Sequence, residues 1–161
     1  MAKVTLRIVG LFFNEEVNIA LSPNLTVRNV VDEYIRLNPI LANAGGLEYE
    51  LETDTTVKSF TYNFNGKFNY KGINPVTGRT TSLGGKTRAA GIYTLSESLT
   101  REFTTANVFL TWQYYVVSRR GKVKSKTPVN RGFKPWGKVP PDYTIADGDT
   151  IIWRLVAIVN A

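Results

Sequence analysis

The chain has 161 residues, 43% of them apolar, and a formal net charge of +7, a size that suits one domain with its own core. It contains no cysteine and no histidine, which excludes disulfides, thiolate nucleophiles, imidazole bases and Cys/His zinc sites. Residues 1–54 sum to −4, residues 55–140 to +13 and residues 141–161 to −2, and such asymmetry marks an interaction surface.

Met1-Ala2-Lys3 leads straight into a strand pattern, without a charged and apolar leader. The expectation is cytoplasmic synthesis without a secretory signal, with release inside a larger particle such as a virion as a further option. No run of eighteen apolar residues predicts a membrane span. Val4, Leu6 and Ile8 alternate with Lys3, Thr5 and Arg7, and Val17, Ile19 and Leu21 alternate with Glu16, Asn18 and Ala20. Period two predicts a hairpin, with its turn at Asn14-Glu15. Ser22-Pro23-Asn24 breaks the second strand. Thr26 is an N-cap for a helix whose apolar face is Val27, Val30, Val31, Tyr34 and Ile35, ended by Asn38-Pro39. These β-branched and aromatic residues are poor helix formers, so packing on a sheet must stabilise the element.

Gly45-Gly46 is expected to act as a hinge. Leu47, Tyr49 and Leu51 then alternate with Glu48, Glu50 and Glu52, a third strand with a solvated acidic face. Three alternating carboxylates lie along a line and do not converge on a calcium ion. Phe60, Tyr62 and Phe64 precede Asn65-Gly66 and then Phe68 and Tyr70, a hairpin signal. A two-residue loop pairs Phe64 with Lys67; an odd loop pairs Phe64 with Phe68 and gathers the aromatics on one face, which is preferred. Residues 72–91 are rich in Gly, Thr and Pro and predict a long loop. Gly85-Lys86-Thr87 within it fails as a phosphate loop, because Thr80 stands where a glycine is needed.

Residues 92–99 predict a short strand or a turn of helix. Residues 108–117 alternate with both faces fairly apolar, which predicts a central or doubly covered strand. Arg119, Arg120, Lys122, Lys124 and Lys126 follow, with Arg120, Lys122, Lys124 and Lys126 on one face if the segment is extended. Beyond them Phe133 and Trp136 lie among Arg131, Lys134 and Lys138. A last strand follows the Asp147-Gly148-Asp149 turn, too apolar for a wet edge and therefore expected at the centre of a sheet. In that turn, glycine at a positive φ with side chains capping backbone donors is the expected reading.

Strand, strand, helix and a closing strand after Asp147-Gly148-Asp149 resemble the β-grasp architecture of ubiquitin-like folds. More narrowly, Trp112-Gln113-Tyr114-Tyr115-Val116 with Tyr143–Trp153 resembles the β-grasp domain of transcobalamin-like proteins. The resemblance covers about half of the chain: the first forty residues by pattern and the last fifty by motif. It implies an α+β fold, a β-grasp-like mixed sheet packed on one helix with a long β-rich basic insertion. The single domain, 1–161, has its core at 1–54 and 105–161 and an inserted hairpin and loop at 55–104. The basic middle departs from the cobalamin-binding pattern, so no cofactor is expected. The small sulfur carriers share Asp-Gly-Asp but need a terminal Gly-Gly, and this chain ends Asn160-Ala161, so no carrier role is expected.

The function expected is a non-catalytic structural protein that assembles with itself or with a larger particle such as a virion or capsid. The contact residues expected are Arg119, Arg120, Lys122, Lys124, Lys126, Arg131, Phe133, Lys134, Trp136 and Lys138. The alternative is a nucleic-acid-binding module in which the 119–138 cations contact phosphates and aromatics stack bases. No spacing favours Ser–Lys, carboxylate or metal chemistry, so no enzyme, metal or membrane partner is expected.

Overall fold

The computed structural model describes residues 1–23, 25–41, 44–53, 56–66, 71–73, 80–82, 89–97, 108–126 and 145–159. They form a mixed α+β structure of one helix and strands in chain order: β1 (Ala2–Ile8), β2 (Phe13–Ile19), α1 (Val27–Leu37), β3 (Leu47–Thr53), β4 (Thr56–Phe64), β5 (Lys71–Ile73), β6 (Thr80–Ser82), β7 (Gly91–Ser96), β8 (Val108–Val117), β9 (Val123–Lys126) and β10 (Thr150–Val159). One sheet has the order β2-β1-β10-β8-β9, a second β3-β4-β7, and β5 pairs with β6.

In the five-stranded sheet β1 and β10 are parallel, with Leu6 beside Ile151 and Ile8 beside Trp153. The other pairs are antiparallel. The last strand therefore lies in the middle of its sheet, as its apolar run requires, and β8 lies inside it too. Alternation places Val4, Leu6, Ile8, Phe13, Val17, Trp112, Tyr114, Val116, Ile151 and Trp153 in the core.

The first hairpin turns earlier than its polar residues indicate. Asn14 and Glu15 are strand residues, opposite Arg7 and Leu6. The reversal falls at residues 9–12, where Gly10 has φ +95° and Phe12 has φ +59°. Leu11 is 1% exposed and Phe13 fully buried. Burying these two side chains outweighs the turn preference of Asn14. Leu21, expected to continue the inward row, lies beyond the strand and is 48% exposed.

Helix α1 begins as its sequence predicts. The Thr26 hydroxyl accepts from the Asn29 N–H at 3.1 Å, and the Thr26 N–H donates to Asn29 Oδ1 at 2.9 Å, a reciprocal cap that satisfies two amides at the helix start. Val27, Val30, Val31 and Tyr34 are buried, and the helix rests on β1, β2 and β3.

The three-stranded sheet packs on the remainder of the same face. Phe60, Tyr62 and Phe64 are all buried, the single aromatic face expected of them. Phe60 meets Trp112 at 4.9 Å and Trp153 at 5.2 Å between ring centroids, and Tyr62 meets Phe13 at 5.0 Å. The partner of that face is not the one expected. Strand β4 has β3 along one edge and β7 along the other, with Phe64 opposite Gly91. Both of its edges are thus taken along residues 59–63, and the expected partners, Lys67 or Phe68, lie outside the described residues. Residues 91–96, open between strand and helical turn in sequence, are the strand β7. The segment predicted as an insertion accordingly supplies Val57, Phe60, Tyr62 and Phe64 to the one core cluster.

Gly45-Gly46 is pinned between elements instead of hinging. The Gly45 N–H donates to the Asn63 carbonyl at 2.7 Å, the Asn63 N–H donates to the Gly46 carbonyl at 2.9 Å, and Tyr34 Oη donates to the Gly45 carbonyl at 2.5 Å. A Cβ on Gly46 would sit 2.5 Å from both the Ile40 Cα and the Pro39 oxygen, so backbone approach dictates glycine there.

Candidate functional site

The basic segment is built on the hairpin that joins β8 to β9. The Ser118 N–H donates to the Lys122 carbonyl at 2.8 Å and the Gly121 N–H donates to the Ser118 carbonyl at 2.8 Å. The Ser118 hydroxyl accepts from the Lys122 N–H at 3.1 Å. Gly121 has φ +84°, the left-handed position that closes such a loop. The tip is therefore Ser118-Arg119-Arg120-Gly121-Lys122, and β9 leaves it with a register shift opposite Val116 and Val117.

The turn Asp147-Gly148-Asp149 buttresses this hairpin. Gly148 has φ +85°, as expected, and its N–H donates to the Lys3 carbonyl at 2.8 Å. Asp147 Oδ1 accepts from the Lys3 N–H at 2.8 Å, and the Thr5 N–H donates to the Asp149 carbonyl at 2.9 Å. Asp149 is buried, and its Oδ2 accepts both from Lys124 Nζ at 2.8 Å and from the Ala146 N–H at 2.9 Å. Arg119 approaches Asp147 at 3.7 Å, both well exposed, a contact of small energy in water. The turn thus holds β1, β10 and the base of the hairpin together.

The expected contact residues divide accordingly. Arg119 and Lys124 are engaged by aspartates of their own chain, whereas Arg120 and Lys122 are exposed at the tip. The expectation that Arg120, Lys122, Lys124 and Lys126 share a face requires extended chain throughout. Only Val123–Lys126 is strand, Arg120 is in the turn, and Lys124 is drawn to Asp149. Lys126 lies on β9 opposite Tyr115. Arg131, Phe133, Lys134, Trp136 and Lys138 lie outside the described residues, as does Gly85-Lys86-Thr87.

Two constellations escaped sequence reasoning. On the sheet face away from the core, Arg154 lies opposite Gln113 and places its guanidinium 4.5 Å from the Tyr115 ring centroid. Arg154 Nη2 donates to Tyr115 Oη and to Gln113 Oε1, the latter at 3.4 Å, and Tyr115 Oη donates to Gln113 Oε1 at 3.1 Å. Residues forty positions apart meet here by strand register, which no local spacing announces. The second is Glu15, in the core-facing row of β2 near Tyr34 and Tyr62. Burial, reinforced by the Glu16 carboxylate, holds its carboxyl above the ordinary value of 4.5. Burial, with the Glu15 charge second, pushes the Tyr62 hydroxyl up to about 12 and raises that of Tyr34 as well.

Glu15 gives a pH dependence of stability. Because its folded pKa lies above the unfolded one, the native state binds the proton more tightly. Its contribution is fully present below the unfolded value and is lost as pH rises through the raised folded value. Wild type is therefore expected to lose stability from about pH 4 upward through that window, and Glu15→Gln to show a flatter profile and a higher urea midpoint at pH 7. Equal slopes in the two proteins across pH 4–7 would remove Glu15 as the cause.

Of the acidic row on β3, Glu48 and Glu50 are exposed, with Glu50 3.6 Å from Lys58. Among the described residues no helix is long and apolar enough to cross a membrane. Comparison with protein-family models, with curated proteins and with solved structures returns no match.

Proposed function

We propose that the chain is a non-catalytic structural protein that assembles with itself or with a larger, virion-like particle, presenting the β8–β9 hairpin as its contact element on a β-grasp-like scaffold. The observation that carries this reading is the hairpin tip. Arg120 and Lys122 are exposed on a loop closed by its own hydrogen bonds and braced at its base by the part-buried Lys124–Asp149 pair. A cationic loop held in one shape loses little conformational entropy when a partner docks on it, and its charge sets partner and orientation. The scaffold reading draws support from the central parallel pairing of β1 with β10, from β2 outside β1, and from α1 following that hairpin.

The test is sedimentation velocity of the protein alone over a range of concentration and NaCl, run beside binding to random single- and double-stranded oligonucleotides. Assembly predicts concentration-dependent oligomers without added polymer, weakened by salt and lost in Arg120→Glu/Lys122→Glu. Oligonucleotide affinity falling steeply and linearly in log salt, with the protein alone monomeric, would favour the nucleic-acid reading instead. A monomer indifferent to both would defeat either.

A further inference from the structure

Asn65 is the one asparagine of the chain that is followed by glycine, and Asp147 the one aspartate. Such pairs carry a covalent chemistry of their own. The backbone nitrogen of the second residue can attack the side-chain Cγ of the first, and a glycine has no Cβ to hinder the approach. Asparagine counts among the thermolabile residues. The fold treats these two pairs differently. At Asp147-Gly148 the reacting atoms are held. The Gly148 N–H donates to the Lys3 carbonyl at 2.8 Å, and Asp147 Oδ1 accepts from the Lys3 N–H at 2.8 Å. Arg119 packs so closely on the turn that a Cβ on Gly148 would lie 2.7 Å from its Nε. To attack, the Gly148 nitrogen would have to give up its acceptor, and the Asp147 carboxylate its donor.

Asn65-Gly66 has the opposite setting. Strand β4 ends at Phe64, whose pairing with Gly91 is the last across to β7. The bonds toward Gly45-Gly46 are made by Asn63. Asn65 and Gly66 follow beyond these pairs, and both are exposed. Gly66 has φ +82°, a backbone that glycine adopts without strain.

We infer that Asn65-Gly66 is a site of spontaneous covalent modification, at which the folded chain converts Asn65 through a cyclic imide into aspartate and isoaspartate. Solvent base takes the Gly66 amide proton, and the nitrogen bonds to Asn65 Cγ. The Cγ–Nδ2 bond then breaks and ammonia leaves, its added proton coming from water. Water opens the ring in either of two ways. Attack at Cγ gives aspartate. Attack at the Asn65 backbone carbonyl gives isoaspartate, in which the main chain runs through the former side chain. Water is the only co-reactant, and nothing is oxidised or reduced. Either product adds one negative charge and lowers the sum over residues 55–140 from +13 to +12. Isoaspartate also inserts one more carbon into the backbone. That carbon enters beyond the last ladder pair of β4, so the burial of Phe64, 2% exposed, is retained.

The test is incubation of the folded protein at mildly alkaline pH, beside the same protein in urea, followed by tryptic mass spectrometry. Lys58 and Lys67 bound a peptide, residues 59–67, that holds Asn63 as well as Asn65, so Asn63 serves as an internal reference. The expected result is a gain of about 1 Da at Asn65 and not at Asn63, at a rate close to that in urea and faster as pH rises. A methyltransferase specific for isoaspartyl carboxylates, given a labelled methyl donor, is expected to mark the aged folded protein at position 65 and not at 147. In Asn65→Gln, where cyclisation needs a larger ring, the mark should be lost while the melting temperature stays as in wild type. Conversion of Asn65 in urea alone would overturn the inference, as would a mark at 147 in the folded protein or one that survives Asn65→Gln. A melting temperature that falls as wild type converts would overturn the placement of the site beyond the ladder.

Discussion

Phe60→Ala is expected to destabilise the protein by about 4 kcal/mol, measured as a shift of the urea unfolding midpoint at unchanged slope. Phe60 is fully buried and stands on β4, the middle strand of the smaller sheet. Its ring meets Trp112 and Trp153 of the larger sheet at 85° and 61°, the edge-to-face geometry that aromatic rings prefer. Truncation removes the ring's own burial and leaves a cavity lined by two indoles that strands hold in place. With a total stability of roughly 5–15 kcal/mol typical of single domains, this is a large part of the whole. Phe60→Leu keeps most of the volume and should cost about half as much. Because both indoles touch the ring, tryptophan fluorescence of the folded protein should change in the alanine variant. A loss under about 1 kcal/mol would mean that the two sheets are not held together through this contact.

Asp149→Ala is expected to cost about 3 kcal/mol. The Asp149 side chain is 2% exposed and that of Lys124 23%, so the pair is screened little by solvent. Removing the carboxylate takes from the half-buried ammonium its 2.8 Å ion pair and deprives the Ala146 N–H of its acceptor. The same turn joins Lys3 and Thr5 to β10, so the loss should reach the parallel pairing of β1 with β10. Adding Lys124→Met to Asp149→Ala should recover part of the loss, since the half-buried ammonium that lost its ion pair is then removed as well. Removal of the exposed partner in the neighbouring pair, Asp147→Ala, is expected to cost less, because what it gives Arg119 is small in water. If Asp149→Ala proved as mild as a surface substitution, the turn would not be the brace of the hairpin. The rigid presentation of Arg120 and Lys122 would then lose its basis.

Much of the scaffold was legible residue by residue. The 3.6-residue spacing from Val27 to Ile35 and the Thr26 cap foretold α1, and period two foretold β1, β3, β8 and the inward row of β4. The apolar run after Asp147-Gly148-Asp149 foretold a central strand. Where local signals competed with burial, they lost. Asn14-Glu15 has turn chemistry, yet Leu11 and Phe13 are better buried if the chain reverses earlier. The site was legible only as charge. The sequence places Arg119, Arg120, Lys122 and Lys124 within six residues, but sorting them required Asp147 and Asp149, some twenty-five positions away.

The division has one physical cause. Alternation and helical spacing specify which face of an element is apolar, because side-chain direction follows from backbone geometry alone. That was enough to set the type and buried side of β1, α1, β3, β4, β8 and β10, together with the chemistry excluded by a chain without Cys or His, but not to find the paired β5 and β6 where residues 72–91 predicted a loop, nor to decide that 91–96 is a strand. They do not specify which edge meets which, since every strand offers the same backbone groups on both sides. The tertiary structure decided that β4 takes β7 as a neighbour, that Gly45-Gly46 is clamped against Asn63, and that Lys124 is neutralised at home while Lys122 faces outward. Each of these choices is made by packing between residues far apart in the chain, where the burial of one core outweighs the preference of any single turn.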